Sequence, residues 1–204
     1  LMNGAPESPV TRYVDAVLAG QIITGGAVIR ACERHREDLL RGPERGYHFD
    51  VREAQRAIDF FSHLILADGN HVGQPFHLEP WECFIVGSIF GWKLGQKRRF
   101  HYALVEVARA NGKTPLAAGI GLYGMMADGE QGAQIYSVAT TRDQAKIMFK
   151  DAEHMAQQSG LIDTRLQKTV NNLLYPKLSS YFRPLSADAS TMDGLRVHMG
   201  LIDE

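Results

Sequence analysis

The chain has 204 residues, of which 45% are hydrophobic and 22% charged, and its formal net charge is -1. This length supports a full core in one or two domains, and the small net charge excludes a globally basic surface, so any nucleic-acid contact is expected to be local. The two cysteines, Cys32 and Cys83, are far apart. They predict reduced thiols in a cytoplasm-like compartment and no paired-cysteine metal site. The sequence shows neither an apolar run of membrane-spanning length nor a signal-peptide pattern.

The first half of the chain reads as helical. A loose leader, residues 1–9, precedes two stretches with helical apolar spacing, residues 13–18 and 27–40. A start that resembles a capping box at residue 50 predicts a helix over residues 50–65. A further apolar helix is expected over residues 83–92.

The second half alternates strand-like and helix-like segments. Aromatic and β-branched residues predict a strand at 100–107, and a helix follows with Pro115 near its first turn. The later expected elements are strands at 133–139, 179–185 and 195–202, a helix at 143–157 and a short helical piece at 161–168. This alternation predicts an α/β fold with a mostly parallel sheet flanked by helices.

The turn Asn111-Gly112-Lys113-Thr114 stands between a predicted strand and a predicted helix, as a phosphate-binding loop requires. In that interpretation Lys113 reaches the β- and γ-phosphates, and the Thr114 hydroxyl ligates Mg²⁺. The first glycine of the usual Walker A pattern is replaced by Val107, and Arg109 lies within the loop. An ordinary strand-to-helix turn is the alternative interpretation.

Two acidic residues, Asp203 and Glu204, follow the last apolar strand-like run. In a Walker B-like strand the aspartate holds Mg²⁺ through water or Thr114, and the glutamate polarises the attacking water. Arg142 follows the strand predicted at 133–139, at the sheet edge where open α/β sheets bind ligands. A solvated strand end is the alternative interpretation of the acidic pair.

Four ordered segments together resemble the large terminase subunits of tailed double-stranded DNA phages. They are Phe76-His77-Leu78-Glu79-Pro80-Trp81 with Phe90-Gly91-Trp92, then residues 107–114, then residues 139–145, and last Ser186-Ala187-Asp188-Ala189 with Asp193-Gly194 and Asp203-Glu204. The matching segments span residues 10–204.

The resemblance implies a RecA-like P-loop ATPase, residues 73–204, preceded by a helical region, residues 1–72. It implies ATP hydrolysis with Mg²⁺ that drives viral double-stranded DNA into a procapsid in the host cytoplasm. The implied partners are that DNA, the portal protein, the small terminase subunit and a homo-oligomeric ring, with no membrane. The family's coupling motif and nuclease domain have no counterpart in these residues, so we expect a fragment that ends at the acidic strand.

The resemblance also implies roles for single residues. Glu204 is the implied catalytic base, Arg142 an arginine finger and Arg109 a γ-phosphate contact within the same chain. The implied nucleotide-binding residues are Asn111, Gly112, Lys113, Thr114, Trp81 and Glu82, and the implied metal ligands are Thr114 and Asp203.

Two of these residues precede the phosphate loop and concern the base of the nucleotide. Trp81 is either an adenine-side wall or a core residue. Glu82 stands at the position of the family's adenine-reading glutamine, and a carboxylate cannot donate to adenine N7 unless it is protonated.

Two other functions fit parts of the sequence. A helicase-like or other RecA-like nucleic-acid ATPase would use the same phosphate loop. A non-catalytic capsid or scaffold protein would carry the Gly-Lys-Thr triple by chance.

Overall fold

A computed structural model describes residues 8–67, 69–186 and 194–203 of the chain. Glu204 and the acidic residues Asp188 and Asp193 lie outside the described residues. The chain forms two compact units that alternate along the sequence. The first contains the residues up to Asp59 together with Leu78–Leu104, and the second contains Phe60–His77 together with the residues from Val105 onward. A functional boundary between residues 72 and 73 remains a prediction.

The first unit is built from helices and one small antiparallel sheet. Its helices are α1 (Pro9–Leu18), α2 (Gly26–Arg41), α3 (Val51–Phe61, whose last two residues belong to the second unit) and α4 (Pro80–Gly91). Its strands are β1 (Tyr47–Phe49), β2 (Trp92–Leu94) and β3 (Lys97–Arg98), which pair in the order β1-β2-β3. The predicted helices are therefore present, and the small sheet was not predicted.

Helix α1 begins where the sequence supplies both a cap and a proline. The Ser8 hydroxyl accepts a hydrogen bond from the Val10 N–H at 3.3 Å. Pro9 occupies the first turn, where an N–H would have no acceptor within the helix, so its missing N–H costs no helical hydrogen bond. Gly87 of α4 allows close approach, because a Cβ at this position would collide with the Val10 side chain. The α1–α4 contact thus depends on a small residue.

A buried polar network lies in the core of the first unit. The Trp92 indole N–H donates to His35 Nδ1 at 3.0 Å, and the Arg99 guanidinium contacts the Asp38 carboxylate at 2.6 Å. Burial lowers the pKa of His35 to about 4, although the nearby Asp38 raises it. The imidazole is therefore neutral at pH 7, and its proton is on Nε2.

Both cysteines are buried in the first unit. Cys32 is in α2 and Cys83 in α4, and neither thiol forms a disulfide. Burial raises the pKa of each thiol to about 11. The thiolate form is therefore scarce at neutral pH.

The second unit is an α/β layer. Its helices are α5 (Lys113–Met126), α6 (Arg142–Gln158) and α7 (Gly160–Asp163). Its strands are β4 (Gln134–Ala139), β5 (Gln167–Thr169), β6 (Asn172–Tyr175), β7 (Ser180–Ser186) and β8 (Val197–Ile202), which pair in the order β5-β6-β7-β4-β8. None of the helices in the described part of the chain combines the length and apolar character needed to cross a membrane.

This five-stranded sheet is mixed, whereas the sequence predicted a mostly parallel one. Strand β4 is parallel to both of its neighbours, β7 and β8, but β5 pairs antiparallel with β6, and β6 pairs antiparallel with β7. The difference arises because residues 167–175 form a hairpin that adds two strands to one edge. Of the helical piece predicted at 161–168, only the first residues are helical, in α7, and the last residues belong to β5.

Helices α5 and α6 pack on the same face of this sheet. Gly121 of α5 lies against Phe182 and Leu201, since a Cβ there would lie 2.8 Å from each of those side chains. Phe149 of α6 packs edge-to-face on the same Phe182 with ring centroids 5.8 Å apart. The Ser137 hydroxyl, which points to that face, donates to the Ala145 carbonyl of α6 at 2.9 Å.

The strand predicted at residues 100–107 is absent. Residues 102–108 form neither helix nor strand and pair with none of the strands that the structure describes. Tyr102 and Leu104 are 95% and 94% exposed. Aromatic and β-branched residues favour strands only where they pair with a neighbouring strand, and residues 102–108 have no such pairing although β8 is an edge strand of the described sheet.

The helix predicted through residue 65 ends at Phe61 for a similar tertiary reason. The chain pairs with a later segment instead: the Phe76 N–H donates to the Leu64 carbonyl at 2.8 Å, and the Leu66 N–H donates to the Gln74 carbonyl at 2.9 Å. Hydrogen bonds between these segments replace the last predicted helical turn.

Gly119→Ala should destabilise the second unit. A Cβ at residue 119 would collide with the fully buried Phe61 ring, and overpacking of this kind costs about 1–3 kcal/mol. The check is the urea midpoint of the variant against that of Gly160→Ala, where the added methyl group meets no atom within 4 Å. Equal midpoints for the two variants would show that Phe61 moves aside without cost.

Candidate functional site

The predicted phosphate loop is an exposed turn with two left-handed residues. Ala110 has φ of 63° and Gly112 has φ of 73°. Glycine adopts this conformation without strain, whereas alanine does so at a cost. The Asn111 side-chain N–H donates to the Ala108 carbonyl at 3.1 Å. Asn111 therefore shapes the loop from within, and this internal bond was not expected from the sequence.

Helix α5 begins directly after this turn. Gly112 is its N-cap, and the Leu116 N–H donates to the Gly112 carbonyl at 3.0 Å to form the first helical bond. Lys113 and Thr114 are thus the first two residues of α5. The N–H groups of this turn and the positive end of the helix dipole favour an anion at this position.

The structure brings two predicted site residues into direct contact. Lys113 Nζ lies 2.8 Å from Asp203 Oδ1. The Asp203 N–H donates to the Val138 carbonyl at 3.1 Å, which continues the pairing of β8 with β4 by one residue. The carboxylate is therefore held at the end of β8 by the sheet, about ninety residues along the chain from the lysine that it contacts.

The carboxyl ends of β4 and β8 meet at the same sheet edge because the two strands are parallel. Helix α6 begins there too, and the Thr141 hydroxyl accepts a hydrogen bond from the Gln144 N–H at 3.3 Å as its N-cap. Arg142 is the first residue of α6, and its side chain is not described. Arg109 is an exposed residue of the phosphate loop.

The donors at this edge fit a magnesium ion better than a transition metal. The Thr114 hydroxyl and the Asp203 carboxylate are hard oxygen ligands, which Mg²⁺ prefers. The described residues contain no group of three His, Cys, Asp or Glu side chains that could hold a metal ion.

The other two predicted nucleotide residues, Trp81 and Glu82, belong to α4 in the first unit. Trp81 packs on the apolar cluster of that unit. Glu82 is only 4% exposed, and its Oε2 accepts a hydrogen bond from the Glu79 N–H at 2.8 Å. Burial raises the pKa of Glu82 to about 7, although this bond lowers it.

Phe76 and Trp92, two aromatic residues of the segments that carry the family resemblance, are core residues. Phe76 is 6% exposed and packs edge-to-face on Phe61, with ring centroids 5.3 Å apart. Trp92 is 1% exposed. Packing accounts for both rings.

A second polar contact lies at the other end of α5 and was not predicted. His198 Nε2 lies 2.7 Å from Asp128 Oδ2. In the sequence, Asp128 follows the last apolar residues of α5, and His198 is a polar residue in an apolar strand. The two residues meet only because of the strand order of the sheet, so the sequence alone does not indicate their contact.

Comparison with known proteins gives one consistent result. Residues 80–204 match the family model described as terminase large subunit, ATPase domain. The chain is 30% identical over 162 residues to the terminase large subunit of Enterobacteria phage HK97. The crystal structure of the HK97 bacteriophage large terminase is similar with a TM-score of 0.63 and 28% sequence identity.

These alignments cover most of the chain but only part of the relatives. They include 76% of this chain in the sequence comparison and 74% in the structural one. In both cases they include 31% of the relative.

Glu82→Gln should stabilise the first unit in a pH-dependent manner. The pKa of Glu82 is about 7 in the folded chain against an ordinary value of 4.5, so folding favours the protonated form. Stability is therefore highest below pH 4.5 and falls as the pH rises to 7. At pH 8 the neutral glutamine should gain about 1–3 kcal/mol, since one pKa unit corresponds to about 1.4 kcal/mol.

The measurement is urea unfolding at pH 8 and at pH 4.5, with Glu44→Gln as the control, because Glu44 is an exposed carboxylate of the same unit. The gain should shrink toward zero at the lower pH. A gain of equal size at both pH values would show that Glu82 ionises normally.

Proposed function

The chain belongs to the terminase large-subunit family, with the match on its ATPase domain, and from this membership we propose that it is the ATP-hydrolysing motor domain of a packaging complex. In this proposal ATP hydrolysis drives viral double-stranded DNA into the procapsid. The observation that carries the proposal is the contact of Lys113 with Asp203 at 2.8 Å, because it joins the phosphate loop and the acidic strand at one sheet edge.

In the proposed site Lys113 neutralises phosphate charge, and Gly112 leaves the loop backbone open to the phosphates. Asn111 holds the loop in shape through the Ala108 carbonyl. Thr114 and Asp203 are the proposed ligands of Mg²⁺, which supplies charge neutralisation on the phosphates when bound. The position of this turn at the start of α5 supports the arrangement, because the first turn of a helix and the positive end of its dipole favour an anion.

Hydrolysis needs groups that act on the attacking water and on the transferred phosphoryl group. We assign the general base to Glu204, the residue after Asp203. Arg142 at the start of α6 is the proposed arginine finger, and the exposed Arg109 is the proposed γ-phosphate contact. The position of Arg142 after β4 supports its role, because β4 and β8 end at the same edge.

Trp81 and Glu82 are the proposed adenine-side residues. Burial raises the pKa of Glu82 to about 7, which favours its protonated form relative to an ordinary glutamate. A protonated carboxyl group can donate a hydrogen bond, as the glutamine of related proteins would. Adenine selection by Glu82 is therefore chemically feasible near pH 7 and weaker at higher pH.

The proposed fold is RecA-like, with residues 1–72 as a helical region and 73–204 as the ATPase domain. The proposed partners are viral double-stranded DNA, the portal protein, the small terminase subunit and further copies of the chain in a ring. The proposed place of action is the host cytoplasm during assembly. The mixed α/β sheet and the family match support the ATPase part of this proposal.

Lys113→Ala should abolish stabilisation by nucleotide. At about 100 times its Kd, a ligand stabilises a protein by about 2.7 kcal/mol, which raises the melting temperature of a chain of this size by about 5–10 °C. We expect this rise for the wild type with Mg-ADP and for the control Lys177→Ala, whose lysine is exposed elsewhere in the same unit.

Each variant is compared with its own melting temperature in the absence of nucleotide. The same rise in Lys113→Ala and in the wild type would exclude the proposed phosphate site, and no rise in either protein would favour a scaffold protein. Failure to complement DNA packaging, with nucleotide binding intact, would favour a helicase-like ATPase instead.

Arg142→Ala should leave nucleotide affinity unchanged and lower ATP turnover, because an arginine finger contributes about 10³ to 10⁵ in rate. The measurement is steady-state phosphate release at saturating ATP, made with the full-length protein. If Arg142 acts on a neighbouring subunit, mixing this variant with Lys113→Ala should restore part of the activity. Wild-type turnover in Arg142→Ala alone would exclude the role.

A further inference from the structure

Two stretches of the chain carry positive charge without any acidic residue. Residues 83–105 contain four lysines or arginines and no aspartate or glutamate, and residues 164–186 have the same count. The whole chain has 22 basic and 23 acidic residues, so both stretches are local departures from neutrality. In a protein without a global basic field, a local excess of this kind is what can attract a polyanion.

The first stretch uses three of its four charges inside the first unit. The Arg99 guanidinium contacts the buried Asp38 carboxylate at 2.6 Å. Lys93 Nζ lies 3.8 Å from a Glu53 oxygen, and only 15% of the Lys93 side chain is exposed. The Arg98 guanidinium lies 5.7 Å from the centroid of a buried phenylalanine ring. The charges of this stretch are therefore accounted for by contacts within the unit.

The second stretch presents three of its four charges at the surface. Arg165 and Lys177 are exposed. The Lys168 side chain is 27% exposed, and its Nζ lies 3.9 Å from a Glu153 oxygen, which is longer than a hydrogen bond. Arg183 is the exception, because its guanidinium stacks on two tyrosine rings of the sheet. Since a loose, partly exposed ion pair contributes little stability, Lys168 can turn to another anion at small cost.

The three surface charges lie on and beside the hairpin of β5 and β6. Strand β5 is at the edge of the described sheet, and all three of its residues are exposed. Arg165 precedes β5 by two residues, and Lys177 follows β6 by two. Because Gln167 pairs with Leu174, both charges lie at the open end of the hairpin, whereas Lys168 lies within β5. One exposed element thus carries all three cations.

The hairpin also has the shape and the polar groups that suit a nucleic-acid duplex. At its tip the Asn172 side-chain N–H donates to the Thr169 hydroxyl at 3.2 Å, and Val170 is 92% exposed. A two-stranded antiparallel ribbon is narrow enough to enter the major groove of B-DNA. Amide and hydroxyl side chains, like lysine and arginine, commonly contact phosphate oxygens.

We propose that the β5–β6 hairpin, with Arg165, Lys168 and Lys177, is a contact surface for the phosphate backbone of duplex DNA. The inference rests on the proposed packaging function and names a part of the chain that holds its substrate. The contacts are made to phosphate groups, so they do not depend on base sequence. Each cation that neutralises a phosphate releases a counterion, so binding weakens as salt is added.

The test is the affinity of the 204-residue chain for a fluorescein-labelled DNA duplex, measured by fluorescence anisotropy between about 50 and 200 mM NaCl. One phosphate contact contributes about -0.9 to the slope of log affinity against log salt. The triple variant Arg165→Gln, Lys168→Gln, Lys177→Gln should therefore reduce the size of that slope by about 3. At about 100 mM NaCl its affinity should fall on the order of 100-fold.

The matched control is the triple variant Arg45→Gln, Arg52→Gln, Lys97→Gln. These three residues are exposed in the first unit, and their replacement changes the net charge by the same amount. The control should keep the wild-type slope. A double variant of the hairpin that retains Lys168 replaces the triple variant if that one does not fold, and it should reduce the slope by about 2.

Three results would overturn the inference. Equal losses in the hairpin variant and in the control would show that only net charge matters. Displacement of the labelled duplex by polyglutamate as effectively as by unlabelled duplex would show that the hairpin fits an acidic protein segment instead. A wild-type chain that binds no duplex would exclude the surface. The proposed ATPase is tested separately, because the nucleotide-dependent melting shift that Lys113→Ala abolishes should be unchanged in the hairpin variants.

Discussion

The close packing of α5 against the sheet determines the geometry of the candidate site. Buried residues extend over most of this helix, and Gly121 and Gly124 bring its backbone against side chains of β4, β7 and β8. A helix packed this closely has little freedom to slide or rotate. Its first residue, Lys113, is therefore placed at the carboxyl end of β8 by contacts that lie well inside the unit. The ion pair with Asp203 is a result of this packing, and a partly exposed pair of this kind contributes little stability by itself.

The first unit is organised by a different kind of constraint. Its core combines apolar side chains with a buried imidazole, a buried carboxylate and a guanidinium that stacks on aromatic rings. Arg99 contacts Asp38 and lies 4.0 Å above the Tyr47 ring. Removing either charge would leave the other buried without its partner, which is more costly than the net contribution of the pair. This network fixes the conformation of the residues around Arg99. They precede the exposed segment that leads to the phosphate loop.

Much of the fold could be predicted from the sequence, because many of its elements depend on local patterns, whereas the roles of the site residues stay predictions. Helix α5 and strand β4 follow from apolar spacing and from Gly112, which act within a few residues. The failures involve distant pairing. Residues 100–107 have strand-type side chains but no neighbouring strand among the described residues, and the hairpin of β5 and β6 has no strong local turn signal. The contact of Lys113 with Asp203 was expected only as a shared metal and phosphate site, since a direct ion pair depends on strand order.

The burial of both native thiols has a practical consequence for spectroscopy. Cys32 and Cys83 lie in the core, and maleimide reagents react with the exposed thiolate form. A cysteine introduced on the surface can therefore be coupled to a fluorophore without first replacing the native ones. Placed on the phosphate loop and on α6, such dyes would report the distance between two parts of the candidate site as nucleotide is added. Because its native thiols are buried in the core of the first unit, the chain is suited to single-molecule fluorescence with introduced cysteines.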